Sequence, residues 1–267
     1  MKFGVLGPVY IADVAGRSCA PHAFKLRVLL ATLLIRYDRV VSTEYLMGEL
    51  WADKQPKTAR TAMQVYVSSL RKLFQEASLS QDVVSIVTRP PGYMLEVDKR
   101  EFDLPRFEEG MKAARQAEDQ GELEAAAYFI SDALALWRGP ALYGICDAAG
   151  LQTAARRLNE LRMVAFERRI LIDLKRGRGN ELIGELYALT DEYPLSERLW
   201  EYLILALHNQ GRPGDALRAY DMIRLQIRDE LGLEPGASLR QLQQVVLSRG
   251  AVTVTQDGPF GYAASGT

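Results

Sequence analysis

Over the first 20 residues, apolar positions (Phe3, Val5, Leu6, Val9, Ile11, Val14) alternate with small or polar ones, and Gly4, Gly7, Pro8 and Gly16 punctuate the run. This pattern predicts short antiparallel strands. The period then lengthens. In AFKLRVLLATLLIRY, residues Leu26, Leu29, Leu30, Leu33, Leu34 and Tyr37 recur at three- and four-residue spacing, predicting an amphipathic helix. Arg39 to Val41 is a short extended break, and Ser42 or Thr43 is a candidate N-cap for a second short helix carrying Tyr45, Leu46, Leu50 and Trp51. A third helix is predicted from about Thr58 to Phe74, with Ala59, Ala62, Met63, Tyr66 or Val67, Leu70 and Leu73 facing inward. VVSIVTRPPGYMLEV follows as two extended runs about Arg89-Pro90-Pro91-Gly92, a hairpin signal.

Strands, three helices and a hairpin, in that order, make a winged helix-turn-helix. From Asp103 the pattern is helical throughout, with stretches near 103–118, 122–137, 149–175, 179–192, 196–209, 213–230 and 236–248 separated by Gly or Pro. Gly177 and Gly211 are 34 residues apart, and Leu182 and Ala216, Leu186 and Tyr220, and Leu189 and Ile223 share that offset. This is the tetratricopeptide period. A related unit begins at Gly121. Single helix pairs leave an apolar face open, so stacked pairs are expected to close the core. The expected fold is mostly α with a small β part: a winged helix-turn-helix at residues 1–98, an all-α tetratricopeptide-like domain at 99–249 and an unfolded tail at 250–267, rich in Gly, Ser, Thr and Ala. Trp137 and Trp200 are expected to anchor helix pairs in the core.

Charge adds an asymmetry. The 267 residues sum to −1, but residues 1–100 hold 14 Lys and Arg against 9 Asp and Glu (+5), and the remainder 19 against 25 (−6). A basic front half can face phosphates. Cys19 and Cys146 show neither a metal-ligand nor a redox spacing, and His22 and His208 are isolated, so no metal and no other cofactor is expected. No run of about 18 apolar residues and no signal peptide is visible, so the expected location is cytoplasmic, at the nucleoid, without membrane contact. There is no GxxxxGK(S/T), GxSxG or HExxH, and no converging nucleophile and base, so no enzyme is expected.

The chemistry concentrates on the third helix. A helix of about 16 residues is roughly 24 Å long, and the major groove, about 12 Å wide, admits one. Gln64 offers a paired amide suited to adenine; Arg71 offers a planar fork suited to guanine or phosphate; Thr61 and Ser68 can touch base edges or backbone. Arg60 and Lys72 add charge, and Thr58 opens the helix. Arg89, at the tip of the hairpin, is a candidate phosphate or minor-groove contact, with Tyr93 beside it. Lys25, opening the first helix, could approach a phosphate, although a solvated lysine is the plainer reading. Gln, Ser, Arg and Lys face outward on any surface helix; the order of elements around this one favours nucleic acid.

These segments resemble the Streptomyces antibiotic regulatory protein family of transcriptional activators over about residues 1–249. The N-terminal part is similar to the OmpR-type winged helix through ELW (Glu49–Trp51), QVYVSSLRKL (Gln64–Leu73) and TRPPGYMLEV (Thr88–Val97). The rest is similar to the bacterial transcriptional activation domain through FDLPRFE (Phe102–Glu108), ALALWRGPAL (Ala133–Leu142) and GRPGDALRAYDMIRLQIRDELGLEPGASLRQLQ (Gly211–Gln243). Ser68 and Ser69 stand where members often carry an arginine. Neither a receiver domain nor a nucleotide-binding domain is seen, so no phosphorylated aspartate is expected to switch it.

The resemblance implies an activator of a secondary-metabolite (antibiotic) gene cluster that binds direct repeats in double-stranded promoter DNA and recruits RNA polymerase, including its sigma factor. Direct repeats imply a head-to-tail dimer on DNA. A second reading is a tetratricopeptide-type protein–protein adaptor without its own DNA recognition.

Overall fold

The computed structural model describes residues 1–52, 54–145 and 148–248. The tail from Gly250, expected to be unfolded, and Cys146 lie outside the described residues. At the N-terminus β1 (Phe3–Gly4) pairs antiparallel with β2 (Tyr10–Ile11). Then come α1 (Phe24–Ile35), β3 (Val41–Ser42), α2 (Thr43–Trp51), α3 (Ala59–Glu76), β4 (Val84–Arg89) and β5 (Gly92–Val97). The last two strands form the expected hairpin, and β3 adds to it in the antiparallel order β3-β5-β4. A 3₁₀ turn (Lys99–Glu101) leads into α4 (Asp103–Asp119), α5 (Leu123–Leu134), α6 (Ala149–Lys175), α7 (Gly179–Glu192), α8 (Glu197–Asn209), α9 (Pro213–Leu231) and α10 (Ala237–Leu247). None of the described helices is long and apolar enough to cross a membrane.

Contacts divide the chain into two units. The first holds Met1–Arg115 and Phe129–Met163; the second holds Gln116–Tyr128 and the chain from Val164 on.

In the first unit α1 departs from the amphipathic expectation: Val28 to Leu34 are buried without interruption. Helices α2 and α3 and strand β5 all pack on it, so it is covered on more than one side. A helix that is apolar all round belongs inside. Of the two candidate caps for α2, Ser42 serves, its hydroxyl accepting the Tyr45 N–H at 3.2 Å. Asp103, fully buried, ties the N-terminal strands to α4. Its carboxylate accepts the N–H of Val5 (2.9 Å) and of Leu6 (3.0 Å), and Arg138 donates to it at 3.1 Å. Burial pushes this carboxyl up, and those donors pull the other way. Trp137 is also buried here, its ring edge-on to Phe107 at 5.4 Å.

In the second unit the expected period has a visible backbone cause. Gly121, Gly177 and Gly211 all adopt left-handed φ angles, 77°, 74° and 71°. Each donates three residues back, to Glu118, Leu174 and His208, and the following residue donates five back, to Ala117, Asp173 and Leu207. That pair of bonds is the Schellman helix stop, which only glycine adopts without strain. Behind the stops, Leu182, Leu186 and Leu189 of α7 and Ala216, Tyr220 and Ile223 of α9 are buried at matching positions. Trp200 of α8 is 2% exposed, its indole N–H donated to the Pro194 carbonyl at 2.9 Å. In the GLEPG turn, Gly232 closes α9 in the left-handed conformation, and the Gly236 N–H reaches the Glu197 carboxylate at 2.7 Å. Glu118 accepts from Arg168 at 2.6 Å and lies 3.4 Å from Lys175, joining α4 to α6.

Candidate nucleic-acid interface

Helix α3 has two faces of opposite character. Ala59, Met63, Val67, Leu70 and Phe74 are buried; at 3.6 residues per turn they occupy an arc of about 80°. Leu73 and Ala62, also expected inward, are only partly covered. The exposed side carries Arg60, Arg71, Gln64, Ser68, Thr61 and Lys72 in angular order over an arc of about 120° at the same spacing. No acidic residue lies on α3 before Glu76, which sits 3.6 Å from Lys72. Thr58 is exposed at the N-cap, and its carbonyl accepts the Ala62 N–H.

Arg71 is on this helix but spoken for. Its Nε and Nη2 donate to the Ile86 carbonyl at 3.1 and 2.7 Å, and Nη2 also donates to the Thr88 hydroxyl at 3.0 Å. It lies at the edge of the arc nearest the buried face, and there it fastens β4 to α3. Arg89 is exposed at the end of β4, where a two-residue turn carries the chain into β5. The hairpin tip is anchored: the Pro91 carbonyl accepts both the N–H and the hydroxyl of Thr43, at 3.2 and 3.1 Å. Gly92 faces Ser42 in the register, and a side chain there would run into the Val41 carbonyl. The glycine of the Pro-Pro-Gly run is therefore set by the approach of β3 as well as by the turn.

Two expected DNA contacts are placed otherwise. Tyr93 is 9% exposed, held in the sheet between Val41 and Thr88, so its ring is a core group. The Lys25 ammonium sits 4.5 Å from the centre of the Trp51 ring, which stacks on Tyr66 at 6.0 Å. That cation–π contact gives Lys25 a role between helices.

The periodicity missed Val65 and Gln75, both exposed on this side of α3. Val65 is 56% exposed, four residues after Thr61 and three before Ser68. An apolar residue outside the inward spacing was the available signal. Lys54 and Lys57, exposed ahead of α3, also went unremarked.

Comparison with known proteins agrees with this architecture. Residues 22–95 match the family "Transcriptional regulatory protein, C terminal", and residues 102–247 match the "Bacterial transcriptional activator domain". The chain is 35% identical to the regulatory protein DnrI of Streptomyces peucetius, over 99% of this chain and 98% of that one. It is 34% identical to the transcriptional regulator RedD of Streptomyces coelicolor, over 94% and 72% respectively. A solved structure of Mycobacterium tuberculosis EmbR in complex with a low-affinity phosphopeptide superposes with a TM-score of 0.86 at 35% identity, over 94% of this chain and 66% of that one. With a winged helix whose third helix is bare and basic on one side, and an activator domain matched across its whole helical half, the chain belongs to the Streptomyces antibiotic regulatory protein family of transcriptional activators.

Proposed function

We propose that the protein activates transcription of a secondary-metabolite gene cluster by laying α3 in the major groove of promoter DNA, with the hairpin tip against the neighbouring backbone. The observation that carries this is the exposed arc of α3. Gln64, Ser68 and Thr61 hold its middle, Arg60 and Lys72 flank them, Val65 lies just beyond Lys72, and the opposite face is locked in the core. An amide at Gln64 suits adenine, and a methyl surface at Val65 suits the thymine methyl. Arg60, Lys72 and Arg89 supply phosphate contacts that set register without reading sequence. Arg71 acts by holding the hairpin to α3.

In this reading two copies bind head to tail on direct repeats about one helical turn apart, roughly 34–36 Å. RNA polymerase, with its sigma factor, is recruited from the bound pair. The work is done in the cytoplasm, at the nucleoid, and involves no catalysis. The residue divisions 1–98 and 99–249 serve as the DNA-binding and activation domains.

The test is fluorescence anisotropy with DNA from upstream of the neighbouring genes, at several salt concentrations. Gln64→Ala should cost about 1–3 kcal/mol and relax preference at one base pair, while Arg60→Ala should weaken all sequences alike and reduce the salt slope by about 1. Deleting one repeat should abolish the second, two-copy binding step. Promoter binding left intact by both substitutions in a folded protein would favour the adaptor reading instead.

A further inference from the structure

Beside the turn that follows α1, the first unit opens into a cleft of about 560 Å³, within the range of small-molecule sites. Ile35 of α1, Tyr45 of α2 and Ala154 of α6 give it apolar surface and a ring, backed by the buried Leu104 of α4 and Leu151 of α6. Around them stand four cations, Arg36, Arg39, Lys99 and Arg157, against two carboxylates, Asp38 and Glu108. The surplus is two positive charges.

Those carboxylates do not satisfy the cations. Asp38 is held by Lys99 at 3.5 Å. The Glu108 carboxyl is pushed up from its ordinary range by loss of water, with Arg157 and Lys99 opposing the shift. Among the described residues, no carboxylate lies within 4.0 Å of the guanidinium of Arg36, Arg39 or Arg157. Arg36 is steadied instead by the Tyr45 ring, 4.2 Å from its centre. A guanidinium stacked on a ring keeps its in-plane N–H fork for an acid.

Ligand-sized space, apolar and aromatic walls and unmatched arginines define one chemistry. We propose that this cleft binds a small organic anion: an acidic group gripped by Arg36 and Arg157, on an apolar, ring-bearing body lying along Tyr45, Ile35 and Ala154. The walls come from α2, which precedes the proposed reading helix, and from α6, so an occupant bears on both. This site is separate from the exposed arc of α3 and does not depend on DNA binding.

The probe is 1-anilinonaphthalene-8-sulfonate, an aromatic anion, titrated into the full-length protein and followed by its fluorescence, with near-ultraviolet circular dichroism to show that the fold is native. Saturable binding of one molecule per chain is expected, with a Kd on the order of 10 μM. Arg157→Glu and Arg36→Glu should each weaken it tenfold or more, while Lys112→Glu, on another stretch of α4, should leave it unchanged. The neutral analogue N-phenyl-1-naphthylamine should bind at least tenfold more weakly. No saturable binding, equal binding of the neutral analogue, indifference to both arginine reversals, or an equal loss with Lys112→Glu would each overturn the proposal.

Discussion

The carboxylate of Glu49, on α2, accepts the backbone N–H of Gly150, on α6, at 3.0 Å, and that of Leu151 at 3.3 Å. A helix leaves its first N–H groups without partners, and here the acceptor comes from 101 positions earlier. A side chain at position 150 would push aside the Tyr45 hydroxyl and the Glu49 carboxylate, so the glycine leaves room for the cap. Glu49 is also the first residue of the ELW run. Glu49→Ala should lower stability by about 0.5–2 kcal/mol, the usual cost of losing a helix cap, and Glu49→Gln, which keeps one acceptor without the charge, by less. Urea denaturation of the three proteins would show the order.

A second long-range tie makes a steeper prediction. Asp103 is fully buried and satisfies the N–H groups of Val5 and Leu6 while facing Arg138. Asp103→Ala would leave the buried Val5 and Leu6 donors unsatisfied, at about 1–3 kcal/mol each, while Arg138 keeps the Pro8 carbonyl and the Tyr10 ring. The midpoint of chemical denaturation should fall accordingly, with Arg138→Ala less severe because Arg138 is partly exposed and Asp103 keeps its backbone donors.

The order of elements was legible because each carries its own local signal: alternation in β4 and β5, three- and four-residue spacing in α3, a glycine stop before α5, α7 and α9. The period of 34 could be read because Gly177 and Gly211 recur with the same left-handed turn, a local requirement visible in a one-dimensional string. What could not be read is what distant segments do to one another. Tyr93 shares the inward face of β5 with Leu95 and Val97, a signal its neighbours do carry, but nothing near Lys25 announces Trp51. Arg71 looks outward on a helical wheel, and only the folded hairpin brings the Ile86 carbonyl to it. The unbroken burial of Val28 to Leu34 in α1 has the same origin, since it depends on α2, α3 and β5 packing around it.

That placement of Arg71 separates it from Gln64 experimentally. Arg71→Ala removes three hydrogen bonds to β4 and should loosen the hairpin, so promoter affinity should fall for every sequence by a similar factor. Arg71→Lys cannot restore the fork and should behave nearly as badly. Gln64→Ala leaves the hairpin alone, so its loss should concentrate on one base pair. Binding measured against a set of single-base operator variants distinguishes a uniform drop from a selective one, and selective loss on Arg71→Ala would show that the guanidinium leaves β4 to read a base.

The last expectation concerns pH. Glu201 of α8 is 4% exposed, and its Oε2 has no hydrogen-bond partner. Burial raises the carboxyl above its ordinary range, outweighing the hydrogen bond with Ser238 and the attraction of Arg198. A carboxyl whose folded pKa is raised holds its proton more tightly in the native state. Its contribution to stability is therefore greatest below the unfolded value of about 4.3 and declines as pH rises through the folded one. Glu201→Gln keeps the shape and removes the ionisation. It should raise the melting temperature near pH 7, by about 2–4 °C for each kcal/mol relieved, and change it little near pH 4. Scanning calorimetry at the two pH values decides the matter: a variant less stable at pH 7 would mean that the charged carboxylate is stabilised by Arg198 and Ser238 more than it is penalised by burial.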